Sequence, residues 1–125
     1  MIAAITGFAC LVVIVHAVIW LMYVSVMKLQ ALRDAGKLSP MQLKIGMIYV
    51  DFCLLGDVLA NWFFTPFVFG EIAQEYTISQ RLQRWVNSPN CRSHRMAMWF
   101  SRTLLNPYSV GGDHIVMPLV DKGTI

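Results

Sequence analysis

Charged side chains are missing from the first 27 residues of the sequence, where the strongly polar side chains are Thr6, His16 and Ser25. A helix of this length extends roughly 40 Å, which exceeds the ~30 Å apolar thickness of a bilayer. Because backbone polar groups in lipid must be satisfied within the segment, we expect residues 1–27 to form a membrane-spanning helix.

Lys and Arg are also missing from the start of the chain, where a cleaved signal peptide carries a basic segment. The apolar run is longer than the ~7–15 residues of a signal peptide, and Val24 to Met27 match a cleavage site poorly. We therefore expect a permanent anchor.

Features of most enzyme classes are lacking as well. The sequence has no metalloprotease, nucleophile-elbow or phosphate-loop motif, and its three cysteines, Cys10, Cys53 and Cys91, are too scattered for a disulfide framework. With 57% hydrophobic and 14% charged residues, no room is left for a large soluble domain. The net charge of +3 is modest and spread out, which argues against nucleic-acid binding. We expect no enzyme activity and no cofactor.

A second apolar run follows a polar, basic loop at residues 28–44, in which Ser39 and Pro40 mark the start of a new helix. We expect a second span over residues 45–70, although a central Asp opposes insertion by about 2.5–3.5 kcal/mol. Insertion then depends on pairing with the first helix. The predicted fold is all-α: a membrane helical hairpin followed by a short amphipathic helical tail at 71–125.

Polar side chains inside the predicted spans are functional candidates, because ionisable groups in a membrane are costly. An antiparallel hairpin places His16 level with Asp57, and Asn61 lies one turn from Asp57. Asp51 shares a face with Lys44. We predict an intramembrane polar cluster of His16, Asp51, Asp57 and Asn61, with three roles open: helix packing, contact with a partner's helix, or proton chemistry.

Two amphipathic stretches are predicted in the tail, one over residues 78–86 and one from about His94 to Leu105. In the first, Arg81 and Arg84 are expected to face away from the apolar side. Their basic and aromatic side chains are typical of helices at a membrane surface, and they equally fit two helices packed together as a cap over the hairpin. The residues assigned to a membrane-interface or partner surface are Arg81, Arg84, Trp85, Arg95, Trp99 and Arg102.

Four tail residues are weak candidates for a metal site: Cys91, His94, Asp113 and His114. Structural zinc sites usually have two close pairs of ligands, most often rich in Cys, and this set does not. We therefore expect no metal.

Several motifs of the second span and tail match a known pattern: Asp57-Val58-Leu59-Ala60-Asn61, Phe69-x-Glu71, Thr77-x-Ser79-x-Arg81-Leu82-x-Arg84, Arg95-x-Ala97-x-Trp99, Leu104-Leu105-Asn106-Pro107 and Gly112-x-His114. Over roughly residues 50–115 the chain resembles small membrane proteins of tailed bacteriophages and prophages. The resemblance implies a phage origin and the host inner membrane, but no activity. Those proteins commonly carry Asp where this chain has Asn106 and Ser109, which weakens any metal role.

The function expected from this sequence is that of a small accessory membrane protein, which binds a host envelope protein or modifies the inner membrane. A holin-like pore-forming oligomer and a small subunit of a membrane or virion complex are the alternatives. The expected partners are the bilayer, a host membrane protein or a second copy. Lys and Arg near the span ends favour a hairpin whose loop is cytoplasmic and whose termini both lie outside. The basic tail instead favours the anionic cytoplasmic leaflet, so both orientations of the hairpin stay open.

Overall fold

Helices make up all the regular structure of the computed structural model, which describes residues 1–90 and 92–118. The α-helices are α1 (Ile2–Asp34), α2 (Pro40–Phe63), α3 (Thr65–Phe69), α4 (Ile78–Val86) and α5 (His94–Phe100). A π-helical turn (Ser101–Leu105) and a 3₁₀ turn (Asn106–Tyr108) follow α5. The chain divides into two compact units, and the boundary along the sequence falls between Ile78 and Ser79. Over the described residues, the all-α prediction is confirmed.

The first unit begins with α1, the one helix in the described ranges that is long and apolar enough to cross a membrane. Its 33 residues extend past the predicted span, because the helix continues through the basic residues as far as Asp34. Only Val12 is buried. Many of its large apolar side chains are exposed: Ile2, Ile5, Phe8, Leu11, Val13, Ile14, Val18 and Leu21.

A tight turn joins α1 to α2. Gly36 has a φ of 66°, and the backbone N–H groups of Gly36 and Lys37 donate to the carbonyls of Arg33 and Leu32, which is a Schellman ending. Ser39 then caps α2 through a capping box with Gln42, ahead of Pro40. The predicted start of the second helix is confirmed.

Small residues of α2 allow it to lie close against α1. Gly46, Cys53 and Ala60 are buried, and a Cβ on Gly46 would lie 2.9 Å from a methyl group of Leu29. Further along α2, a Cβ on Gly56 would lie 3.5 Å from Ile19. Residue numbers on α2 therefore rise as those on α1 fall, so the two helices pack antiparallel. Small residues commonly mediate such close helix packing within membranes.

The second predicted span is interrupted. Because Pro66 has no N–H to donate, α2 ends at Phe63, and the chain resumes as the short α3, which ends at Gly70 with a φ of 68°. Phe67 of α3 packs edge-on against Phe8 of α1, with the ring centroids 4.9 Å apart. The segment from Gly70 to α4 has no regular structure.

The second unit, from Ser79 onward, contains most of α4, α5 and the irregular chain to residue 118. Its buried apolar side chains are Leu82, Trp85, Val86, Ala97, Met98, Ile115 and Met117. The predicted helix from His94 to Leu105 is α-helical only as far as Phe100, and Ser93 makes no side-chain cap.

Candidate functional site

One face of α2 carries two polar side chains that hold the chain segment leading into α4. The Ile78 backbone N–H donates to Asp57 Oδ1 at 3.3 Å, and Asn61 Nδ2 donates to the Glu75 carbonyl at 2.7 Å. Asp57 and Asn61 are one turn apart, so both point the same way. Asn61 is fully buried. Together they hold residues 75–78 alongside α2.

His16 forms a second polar contact, between α1 and α3. Its Nδ1 lies 2.7 Å from the Val12 carbonyl, which can only accept, so Nδ1 carries the hydrogen. Its Nε2 lies 3.3 Å from the hydroxyl of the buried Thr65, which also lies 3.0 Å from the Ala60 carbonyl. A neutral His16 presents Nε2 as an acceptor, so the single Thr65 hydrogen has two acceptors within reach.

The predicted pairing of His16 with Asp57 is therefore corrected. His16 bonds Thr65, whereas Asp57 bonds Ile78. The reason is the register of the hairpin: Gly56, the residue before Asp57, faces Ile19 and Met22 instead of His16. The predicted polar residues therefore belong to two separate groups of contacts. His16 contacts Thr65, whereas Asp57 and Asn61 contact residues 75–78.

Asp51 stands apart from the other polar residues of α2. It is exposed, and neither it nor Lys44 forms an ion pair with any residue in the described ranges. The ion pair suggested by the shared face of Lys44 and Asp51 is thus not formed.

The second unit separates the residues assigned to the membrane interface into two groups. Arg81 and Trp85 of α4 are fully buried, although the sequence predicted that Arg81 faces away from the apolar side. The guanidinium carbons of Arg81 and Arg84 each lie 5.7 Å from the centre of the Trp85 ring. Two cations against one indole make a cation–π cluster, which keeps the buried Arg81 in contact with an electron-rich face.

The second group lies on α5 and the π-helical turn. Arg95, Trp99 and Arg102 are all exposed, with Trp99 at 56%. Their spacing of four and three residues places them on one side of the helix, as a basic and aromatic stripe. Of the six residues predicted for the interface, these three are on the surface, Arg84 is half-buried, and Arg81 and Trp85 are buried.

Two amide side chains clamp the irregular chain after the helices. The Asn106 amide donates to the Ile115 carbonyl at 3.0 Å and accepts from the Ile115 N–H at 2.9 Å. The Gln83 amide does the same with Val116, at 3.0 and 2.8 Å. Next to them, the Ser79 hydroxyl lies 2.9 Å from His114 Nε2.

These clamps connect parts of the motifs quoted above. Ser79 belongs to the motif that begins at Thr77, and Asn106 and His114 belong to the two last motifs. All three residues are visible as motif positions in the sequence, but their contacts are not: Ser79 and His114 are 35 residues apart, and Asn106 reaches Ile115 across an irregular segment of the chain.

The three metal candidates in the described part of the chain do not form a metal site there. His94 Nδ1 bonds the Trp85 carbonyl at 2.9 Å, His114 bonds Ser79, and Asp113 is exposed. Cys91 lies outside the described residues. Within the described ranges, no group of three His, Cys, Asp or Glu side chains is close enough to hold a metal ion.

No protein-family model, curated protein or solved structure matches this chain.

Proposed function

We propose that the chain is a small, non-enzymatic membrane protein whose helices α1 and α2 both insert into the bilayer as a helical hairpin. The observation that carries the proposal is the apolar outer surface of the packed pair. Beside the exposed side chains of α1, α2 exposes Ile48, Phe52, Leu55, Leu59, Trp62 and Phe63. An apolar surface of this extent needs a covering, and the hydrocarbon core of a bilayer is one.

Hydrogen bonding inside the first unit removes much of the cost of inserting α2. Asp57, Asn61 and Thr65 have partners within the unit, so lipid does not meet unpaired polar groups at these positions. Asp51 stays exposed, at a cost of about 2.5–3.5 kcal/mol at the bilayer centre, which several Leu, Ile and Phe residues offset.

The second unit meets the membrane surface through the stripe of Arg95, Trp99 and Arg102. Arginine pairs with anionic headgroups, and tryptophan prefers the boundary between headgroups and acyl chains. Because this stripe is exposed whereas Trp85 of α4 is buried, α5 is the better candidate for the helix that contacts the membrane surface.

The resemblance to phage membrane proteins extends the proposal to the host inner membrane, where the chain acts by binding a host envelope protein or by modifying the membrane. A holin-like pore and a subunit role are the competing functions. For a pore, Asp51, Asp57 and Asn61 would have to line the channel. Asp57 and Asn61 are instead bonded to residues 75–78, which favours the accessory role.

Insertion is tested with single cysteines on a background in which Cys10, Cys53 and Cys91 are Ser. Ala3→Cys lies in the first turn of α1, Lys37→Cys in the turn between α1 and α2, and Gln74→Cys after α3, and all three positions are exposed. In sealed inverted vesicles and intact spheroplasts, we expect an impermeant maleimide to label Lys37→Cys from one side and the other two from the opposite side. Labelling of Lys37→Cys and Gln74→Cys from the same side would show that α2 does not span.

The accessory role is tested by expressing a tagged chain in a bacterial host, extracting it in mild detergent, and following membrane potential during induction. A stoichiometric host membrane protein with the potential intact is the expected result. A self-assembled oligomer without a partner, together with a collapsing potential, would instead establish the pore.

A further inference from the structure

A groove lies between α1 and α2 at the end of the hairpin nearest the turn. It has a volume of about 570 Å³ and is lined by the apolar side chains of Leu29, Leu32, Leu38 and Ile45. Gly46 lies in its wall, where the lack of a side chain keeps the two helices close. The volume is within the roughly 300–1,000 Å³ of small-molecule sites.

One cation belongs to the lining of this groove. Lys28 is exposed, and it forms no ion pair with any residue of 1–90 or 92–118. Around the turn lie three more basic residues, Arg33, Lys37 and Lys44, and one acidic residue, Asp34, which pairs with Arg33 at 3.0 Å. The groove therefore combines an apolar wall with an uncompensated positive charge.

We propose that this groove binds one anionic phospholipid, whose acyl chain contacts the leucine-lined wall and whose phosphate pairs with Lys28. The inference rests on the proposed membrane insertion. Lys28 is the first charge after the apolar stretch of α1, so it lies at the depth where lipid phosphates are found. Basic pockets between membrane helices are known to hold anionic headgroups. A zwitterionic lipid would leave the net charge of the turn uncompensated.

The test is native mass spectrometry of the full chain in mild detergent, titrated with phosphatidylglycerol or phosphatidylcholine. We expect one phosphatidylglycerol to bind at least tenfold more tightly than phosphatidylcholine, and glycerol phosphate not to compete. Lys28→Gln removes the charge and Leu32→Trp fills the groove, and each should weaken phosphatidylglycerol binding about tenfold.

Matched controls are Lys44→Gln, another basic residue near the turn, and Leu21→Trp, an exposed α1 position; neither residue lines the groove. Both should bind phosphatidylglycerol like the original chain. Equal loss in Lys28→Gln and Lys44→Gln, or no preference for phosphatidylglycerol, would overturn the groove. Extraction by alkaline carbonate, measured on the same variants, reports insertion separately, so a failed groove does not count against the membrane hairpin.

Discussion

The Asp57 carboxylate accepts the backbone N–H of Ile78, the first residue of α4, at 3.3 Å. The first N–H groups of a helix have no partner within it, and a negative charge beside them is favourable. A side chain of α2 therefore stabilises the start of a helix that lies 15 residues beyond the end of α2. The α2 helix thus supplies an acceptor for the start of α4.

Loss of this contact should destabilise the protein. We expect Asp57→Ala to lower the free energy of unfolding by about 1–2 kcal/mol, as for the loss of a helix cap. Asp57→Asn keeps an oxygen acceptor and should cost less. The exposed Asp51→Ala is the matched control and should change stability by less than about 0.5 kcal/mol. Denaturation in mixed micelles, followed by tryptophan fluorescence, measures all three. Equal effects of Asp57→Ala and Asp51→Ala would contradict the cap.

The glycines of the hairpin should differ in their tolerance of a side chain. A Cβ on Gly46 meets Leu29 at 2.9 Å, whereas on Gly56 the nearest atom is at 3.5 Å, an ordinary contact. We expect Gly46→Val to cost about 1–3 kcal/mol through overpacking. Gly56→Ala should be neutral or stabilising by up to about 1 kcal/mol, because Ala favours a helix over Gly.

Gly7→Ala, where nothing lies within 4 Å, isolates the effect of helix propensity. The three variants are compared by their unfolding midpoints in detergent. If Gly46→Val proves as stable as Gly56→Ala, the close contact between α1 and α2 is not formed.

The sequence was sufficient to predict helix identity and several boundaries. These features depend on residues that are close together in the chain, and such local patterns can be read directly from a sequence. Examples are the uncharged runs, the helix start at Ser39-Pro40 and the apolar spacing from Ile78 to Val86. Register was harder to predict. The predicted hairpin placed His16 level with Asp57, whereas in the structure Gly56, next to Asp57, faces Ile19, three residues further along α1.

Contacts between distant side chains were also not predictable from the sequence. The amphipathic pattern of α4 placed Arg81 away from the apolar side, yet its guanidinium lies against Trp85. The small residues Gly46, Cys53, Gly56 and Ala60 were visible in the sequence, and their helical spacing could have indicated the face that meets α1.

The contact between His16 and Thr65 should be visible as energetic coupling. In a double-mutant cycle, His16→Ala and Thr65→Val should cost less together than the sum of their separate effects, since they share one hydrogen bond. His16→Ala and Asp57→Ala should be additive within about 0.5 kcal/mol, because they have no shared partner. Coupling with Asp57 in place of Thr65 would restore the pairing that the sequence suggested.

Acid should destabilise the second unit through His114. Burial lowers the pKa of His114 below its usual 6.5, and its Nε2 lies beside the Ser79 hydroxyl. A folded-state pKa below the unfolded value means that the unfolded chain binds more protons, so stability falls as pH falls. The contribution of neutral His114 is complete above about pH 6.5 and declines below it.

Thermal unfolding of the original chain and of His114→Gln between pH 7.5 and 5.5 measures this contribution. The original chain should lose more stability on acidification than the variant, which has no titrating group at that position. Parallel pH profiles would show that the acid sensitivity does not come from His114.

The amide of Asn106 acts as both donor and acceptor in its contact with Ile115. Its Nδ2 donates to the Ile115 carbonyl while its Oδ1 accepts the Ile115 N–H. An aspartate can only accept, so Asn106→Asp leaves the Ile115 carbonyl without its donor and places a carboxylate beside it. We expect the free energy of unfolding to fall by about 1–3 kcal/mol.

The corresponding change at the other clamp, Gln83→Glu, should weaken the contact with Val116 in the same way. The matched control is Gln74→Glu, an exposed position, which should leave stability unchanged. Hydrogen exchange of the Ile115 and Val116 amides localises the effect: faster exchange in the two clamp variants is expected, and unchanged exchange would show that the clamps do not hold this segment.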